Sequence, residues 1–416
     1  MKASRLDEEF GTDCVAVTGL GLVTPAGVGW EATWKGVLAG QSVAATDPAL
    51  AGLPVDFSCR VPDFDPHALV GKGAGRLDRF SQLAVAAARL SLLDAGLDPA
   101  EWAADRVGVV IGVGLPSLET CQREWVKLHA GNYKEVSPLT LPRSLPNMVA
   151  GEIGMRFGAR GPNLTVSTAC ASGGTALGTA LDLLRSGRCD IVLAGGTEAA
   201  PTARLHVLAG SQMRALSTRR SDPAAASRPF DADRDGFVVA EGAAVLVLER
   251  SEHALARRAG RVRARLLGYG ASADAHHPTA PDPTGEGVAL ALRAALGDAG
   301  LRPGDIDHVN AHATSTRLND LVESQVLDRV FPHSPPVTSN KGVLGHTMGA
   351  AGAIEAACAV LSLEQQVVPP VANLDSLDPE IPLDVVSKMP RQVRMEHVIS
   401  ASYGFGGQNA VLALGR

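Results

Sequence analysis

Two stretches of this chain are so rich in glycine and alanine that, once helical, they must bring backbones close together. ACASGGTALGTALDLLRSG (169–187) carries Ala171, Ser172, Gly173, Gly174, Ala176, Gly178 and Ala180. SNKGVLGHTMGAAGAIEAACAVLSLEQ (339–365) carries Gly349, Ala350, Ala351, Gly352, Ala353, Ala356, Ala357 and Ala359. Glycine inside a helix costs about 1 kcal/mol relative to alanine, so helices that accept it are expected to need close backbone approach. Each stretch also begins beside a reactive residue type, Cys170 in one and His346 in the other. The pair reads as equivalent elements of a duplicated fold, both buried between sheets.

The rest of the pattern fits a layered α/β chain. Buried strands are predicted over 14–27, 107–114, 190–199 and 241–250, and helices over 78–94, 251–260 and 287–300. The segment 306–314 reads as a strand entering a polar loop, and 397–416 as strand–turn–strand. Residues 1–12 read as a solvated tail, 116–146 as an irregular flap carrying Trp125, and 215–238 as a long polar loop. A second half opens at RVRARLLGYG, dividing the chain into 1–260 and 261–416. With 45% apolar but only 4% aromatic residues, the core is built from small side chains that pack closely.

Charge and cysteine usage narrow the class. A net charge of −6 gives no general nucleic-acid footprint. No apolar run approaches the roughly 20 residues of a membrane span. The charged N-terminus MKASRLDEEFGTDC lacks an apolar signal core, so a cytoplasmic location is expected. The six cysteines are scattered, with no C-x-x-C pair and no zinc spacing, so neither a disulfide scaffold nor a metal site is expected.

Three segments carry candidate chemistry. Cys170 follows a strand and opens a helix, where backbone N–H groups stabilise a thiolate and are expected to lower its pKa. A buried helix-cap cysteine satisfies the same pattern. His312 lies in NAHATST (310–316), with Thr314 and Thr316 at alternate positions, and Asp320 and Glu323 on one face of a following helix. His346 lies in NKGVLGHTMGAAGA (340–353), five residues after Lys341, whose charge beside so apolar a helix is costly unless paired. In YGFGGQNA (403–410), Phe405 stands among Gly404, Gly406 and Gly407, which permit positive φ and close approach to a ligand.

These segments, in this order, resemble the β-ketoacyl synthase family, of the elongating ketoacyl-carrier-protein synthase II type found in type II fatty-acid and polyketide systems. VSTACASG, NAHATST, NKGVLGHTMGAAGA and YGFGGQNA all contribute, as does ALSTRRSDPAAASRPFDADRDGFV (215–238). The resemblance runs from about Cys14 to Arg416. It implies a thiolase-like, five-layered α-β-α-β-α fold of two halves. It implies that Cys170 takes the acyl chain as a thioester, and that His312 and His346 face the malonyl thioester. Lys341 and Glu323 would support them as a charged pair. Thr314 and Thr316 would hold the phosphopantetheine arm. The N–H groups of Cys170 and Phe405 would form an oxyanion hole, with Phe405 gating the nucleophile.

The implied reaction is decarboxylative condensation with malonyl-acyl-carrier-protein, and its steps suit these residue types. A thiolate exchanges acyl groups with another thioester at little energetic cost. Loss of carbon dioxide leaves an enolate oxygen that two histidine N–H donors can stabilise, each donor being worth about 3–4 kcal/mol. No bound cofactor is implied, since the phosphopantetheine arm arrives on the carrier. Departures from the usual family pattern are Ala313, Tyr403 and Gln408, together with a less basic segment at 69–80.

Lys72, Arg76, Arg79, Arg214, Arg219 and Arg220 are candidate contacts for an acidic acyl carrier protein. Leu115 is expected to limit the depth of an acyl tunnel beneath the strand at 107–114. Segment 147–163 resembles the family's dimer region. A homodimer is expected; the alternatives are a ketosynthase subunit paired with a chain-length partner, or a catalytically silent partner. His276 and His277 read as loop residues. A thiolase, which would need a second cysteine near the C-terminus, and a cysteine hydrolase, which would leave Lys341 and one histidine unexplained, fit less well.

Overall fold

The computed structural model describes residues 14–115 and 117–416; the tail read at residues 1–12 lies outside them. Among the described residues, ten strands form the continuous path of the main sheet: β1 (Val15–Thr24), β2 (Val107–Gly112), β3 (Asn163–Val166), β4 (Ile191–Ala199), β5 (Glu241–Arg250), β6 (Ala264–Ala273), β7 (His308–Asn310), β8 (Val337–Thr338), β9 (His397–Gly404) and β10 (Gln408–Gly415). The helices that position the site are α1 (Arg79–Ala95), α2 (Leu118–His129), α3 (Met148–Phe157), α4 (Ser172–Arg185), α5 (Glu286–Ala299), α6 (Arg317–Val330) and α7 (Ala351–Gln365).

Strand pairing runs β8-β7-β9-β10-β6-β1-β5-β4-β2-β3. It divides where β1 meets β6, over Val15–Leu266, Ala16–Arg265 and Val17–Ala264 alone. On either side of that join the same motif appears. The first strand pairs antiparallel with the last and the last with the one before it, while the second strand lies parallel between the third and the fourth. The duplication inferred from the two small-residue helices is therefore written into the strand order as well.

Helices α4 and α7 form the central layer and pack on each other and on both sheets, while α1 covers the first sheet from outside and α5 the second. The glycines explain how the middle layer fits. A Cβ on Gly352 would lie 2.6 Å from the Gly174 nitrogen, and one on Gly173 would lie 2.6 Å from the Ala353 nitrogen. Strands covered by helices on both faces must be apolar throughout, and β1 is buried at every position. Helix α1 ends where the sequence predicts: Gly96 takes a left-handed conformation (φ 62°) and its N–H caps the carbonyls of Leu92 and Leu93.

The stretch read as an irregular flap holds regular structure instead. It contains α2 and a short helix over Thr140–Ser144, and is followed by α3. Trp125 is 60% exposed, and Val126 and Leu141 are exposed with it. The apolar residues of this region face outward, so they do not display the spacing of a helix packed on the core.

Candidate active site

Beyond β3 the chain turns sharply into α4. Ala169 adopts φ 49°, a left-handed conformation that costs a residue with a side chain about 1–2 kcal/mol. Local bonds hold the turn: the Ser172 hydroxyl accepts the Thr168 N–H at 2.9 Å and donates to the Ala169 carbonyl at 2.6 Å. Gly404 packs against it so closely that a Cβ there would sit 2.3 Å from the Thr168 carbonyl oxygen. The turn delivers Cys170, half-buried, to the N-terminal end of α4.

The Cys170 thiol does not have the lowered pKa expected from its place at a helix start. Burial pushes it up to about 12, with the Lys341 ammonium and the backbone N–H of Phe405 acting in the opposite direction and Glu198 and Glu355 reinforcing the rise. The Phe405 N–H is directed at the sulfur.

The two histidines come from the second half. His312 lies just beyond β7, and its loop is fixed by Glu323 on α6: Oε1 accepts the His312 N–H at 2.8 Å and Oε2 accepts the Ala313 N–H at 2.7 Å. His346 is clamped to the polar loop read at 215–238, donating its N–H to the Val238 carbonyl at 2.7 Å and accepting from the Ala240 N–H at 3.0 Å. Their rings meet edge to face with centroids 5.5 Å apart. Phe237 packs on His346 and Tyr403 on His312. Burial, followed by the nearby Lys341 charge, holds both histidines well below their usual pKa, so both rings are neutral. A neutral imidazole offers one N–H donor and one acceptor nitrogen.

The predicted pairing of Lys341 with Glu323 is not formed. Lys341, 2% exposed, pairs instead with Glu355 on α7. Glu323 spends both oxygens on backbone N–H groups, and burial raises it to about 7. Glu355 is likewise raised to about 7 by burial, against the pull of Lys341. The sequence held one signal for this partner: Glu355 is the single charge in a long apolar run of α7.

Glu198 was missed as well. Its Oε2 accepts the N–H groups of Gly114 and Leu115 at 3.0 Å each and of Gly349 at 3.2 Å, tying the end of β2 to the turn below His346. Burial raises it to about 8.

A cavity of about 720 Å³ gathers most of the predicted residues. Cys170, His312, His346, Thr314, Thr316, Glu323, Leu115 and Phe405 all line it, while Lys341 lies behind its wall. The Thr314 and Thr316 hydroxyls point together, 3.0 Å apart, as their alternate spacing predicts. His276 and His277 are exposed loop residues.

The candidate docking cations separate into two groups. Lys72, Arg76 and Arg214 are exposed, and Arg214 reaches the cavity wall. Arg79 is committed to the buried Glu241 at 2.8 Å and stacks on Phe64, which removes it from the docking set. Arg220 pairs with Asp56 at 2.6 Å, and Arg219 bonds the Asp233 carbonyl.

Comparison with known proteins agrees with this geometry. Residues 12–254 match the family described as beta-ketoacyl synthase, N-terminal domain, and residues 263–375 match the corresponding C-terminal domain. The chain belongs to the β-ketoacyl synthase family. Among similar relatives, 3-oxoacyl-[acyl-carrier-protein] synthase 2 of Rhizobium meliloti is 40% identical, covering 97% of this chain and 98% of that protein. The protein of the same name from Coxiella burnetii is 38% identical, covering 97% of this chain and 98% of its own length. Among solved structures, the ishigamide ketosynthase/chain length factor superposes with a TM-score of 0.91 at 36% identity, covering 97% of this chain and 99% of that one. A type II polyketide synthase acyl-carrier protein in complex with its ketosynthase bound to the hexaketide gives a TM-score of 0.85 at 30% identity, covering 97% and 98%.

Proposed function

We propose that the chain joins an acyl thioester carried on Cys170 to malonyl-acyl-carrier-protein, releasing carbon dioxide and a β-ketoacyl carrier, in fatty-acid or type II polyketide elongation. The observation that carries this reading is a single cavity in which one thiol meets two neutral imidazoles 5.5 Å apart.

The Cys170 proton must leave as the thioester is attacked, because the buried thiol is protonated at neutral pH. It passes to the carrier sulfur as that group departs, so the exchange balances without either histidine. The sulfur then displaces the carrier thiol, and the N–H groups of Cys170 and Phe405 receive the tetrahedral oxyanion. Loss of carbon dioxide from the malonyl group leaves an enolate whose oxygen accepts hydrogen bonds from His312 and His346. Its carbon attacks the acyl thioester and frees the cysteine. Burial, helped by Lys341 behind the wall, keeps the histidines neutral, and Glu323 positions His312. Thr314 and Thr316 bind the phosphopantetheine arm, and Phe405, 42% exposed at the cavity mouth, gates access.

The reading uses no resident cofactor, since the arm arrives on the acyl carrier protein. Lys72, Arg76 and Arg214 are its docking contacts. Among the described residues no helix is long and apolar enough to cross a membrane. A dimer formed along β3 is supported by that strand's place at the end of the pairing order and by exposed Trp125, Val126, Leu141, Met155 and Leu164 nearby. We favour a homodimer; the match to a ketosynthase/chain length factor supports a heterodimer as the second reading. Light scattering of the purified chain separates them, a stable dimer favouring the first and a monomer or aggregate the second.

The activity test is condensation of an acyl carrier with malonyl carrier, followed by product mass and carbon dioxide release. Wild type is expected to give both. Cys170→Ala is expected to lose condensation by about 10⁴-fold or more while retaining some decarboxylation. Undiminished condensation in that variant would contradict the reading.

A further inference from the structure

The charged groups that line the cavity are not equally free. Among the described residues they are the carboxylates of Asp235, Asp274 and Glu323 and the guanidinium groups of Arg214 and Arg317. The carboxylates are engaged. Asp235 accepts the Ser217 hydroxyl at 2.6 Å and the Thr218 N–H at 3.0 Å, with Arg219 at 3.8 Å. Asp274 accepts from the Asn409 amide at 2.7 Å and from the Asp282 N–H at 3.1 Å. Glu323 holds the His312 loop. Among the described residues neither arginine forms an ion pair. The charged groups still open to an occupant are therefore donors, which suits an anion.

The two arginines differ in how they are held. The exposed Arg214 side chain makes no hydrogen bond among the described residues. Arg317 is also exposed, but it is braced. Its Nε donates to the Arg234 carbonyl at 3.3 Å, and its own carbonyl accepts from Arg234 Nη2 at 3.1 Å. Arg234 is 2% exposed and is itself fixed by Asp378 at 2.6 Å. The brace uses Nε and leaves both terminal nitrogens of Arg317 without a partner. Arg317 also opens α6, where the helix dipole disfavours a cation, so the helix does not account for it. An anion bound there would face the guanidinium and the positive helix end together.

Burial falls along the cavity-lining residues of this segment. His312 is 3% exposed and Thr314 6%, Thr316 is half-buried and Arg317 is exposed. A carrier's arm presents its groups in the same order from the inside outward: the thioester, two amides, and then a phosphodiester, the one permanent charge of the arm. We propose that Arg317 binds that phosphodiester through its terminal nitrogens, while Arg214 is left to the surface of the carrier. The planar fork of a guanidinium matches two phosphate oxygens with parallel hydrogen bonds. The brace from Arg234 lowers the ordering cost of that contact, since the side chain is held before the arm arrives.

This inference rests on the reading of the cavity as the place where a carrier's arm acylates Cys170, and its test separates the two. The full-length protein is incubated with octanoyl-pantetheine or octanoyl-phosphopantetheine, small donors that differ by a phosphate and carry no other charge. Each passes its acyl group to the Cys170 sulfur and leaves as the free thiol, and the rate is read by intact-protein mass against donor concentration. Wild type is expected to show a KM about ten-fold lower for the phosphorylated donor, a difference that shrinks as salt is raised. Arg317→Met is expected to erase the difference by weakening the phosphorylated donor alone, Arg317→Lys to restore part of it, and Arg214→Met to keep it. Equal KM values in wild type would overturn the proposal while leaving Cys170 as acceptor. So would a difference that survives in Arg317→Met, one that is lost in Arg214→Met instead, or an equal loss for both donors in Arg317→Met. Absence of any adduct on Cys170 would overturn the parent reading and this one with it.

Discussion

The two halves of the molecule share a strand order but place different chemistry at matching turns. In the first half the chain leaves β3 and enters α4 through a turn with Ala169 at φ 49°, three residues before the helix. In the second half it leaves β8 and reaches α7 through a turn with Met348 at φ 47°, again three residues before the helix. The first turn presents a thiol and the second an imidazole. A second pair of positions also corresponds. Two residues beyond β2 stands Gly114, and two residues beyond β7 stands His312. In each case a buried glutamate collects that N–H and the next one, Glu198 for Gly114 and Leu115, Glu323 for His312 and Ala313.

The difference shows how one scaffold serves an asymmetric reaction. Duplication supplies four similar loop positions around a shared central layer. Three carry reactive side chains, and the fourth carries glycine and Leu115, which leaves room for the substrate chain. The symmetry of the frame brings the groups together, and the asymmetry of side chains assigns the roles.

Substitutions at the corresponding positions test this division. His312→Ala and His346→Ala are each expected to lower malonyl decarboxylation by about 10²–10³-fold while leaving acyl loading of Cys170 in place. A carbon dioxide assay paired with intact mass checks both, and loss of loading in either variant would break the assignment. Lys341→Met leaves Glu355 buried without a partner and is expected to cost about 3–5 kcal/mol of stability, with Glu355→Leu in the same chain recovering most of it; thermal unfolding of the single and double variants measures the coupling. Gly352→Val tests the shared central layer. Its side chain would collide with the Gly174 backbone, 2.6 Å from the first added carbon, for an expected loss of about 1–3 kcal/mol.

The smallest expected effect concerns the resting thiol. A group held up at about 12 is protonated throughout the neutral range. Its thiolate fraction, and with it the rate of alkylation by iodoacetamide, should grow about tenfold per pH unit and keep growing beyond pH 10. A plateau near neutrality would instead favour a thiolate stabilised by the helix terminus, as the sequence alone suggests.

Much of this was legible in the sequence because it depends on short-range pattern. The turn before α4, the glycine stop after α1 and the alternate threonines at 314 and 316 all follow from local rules of periodicity and capping. The duplicated frame was visible through the small residues of α4 and α7, since only close backbone contact justifies glycine there. What escaped depends on contacts made through space. The family resemblance implied a pair between Lys341 and Glu323, but the oxygens of Glu323 are consumed by backbone N–H groups, and the lysine finds Glu355 across the turn into α7. Glu198 gave no signal beyond being one carboxylate at the end of a buried strand. Helix α2 was hidden because Trp125, Val126 and Leu128 lie on an exposed face. The direction of the Cys170 shift was misjudged because a helix terminus can be read from sequence, whereas the extent of desolvation around it cannot.

The most direct test is intact-protein mass after incubation with an acyl carrier thioester, comparing wild type, Cys170→Ala and the His312→Ala/His346→Ala double variant. One acyl adduct is expected on wild type and on the double variant, and none on Cys170→Ala. An adduct that persists without the Cys170 sulfur would contradict the division of labour between the two halves.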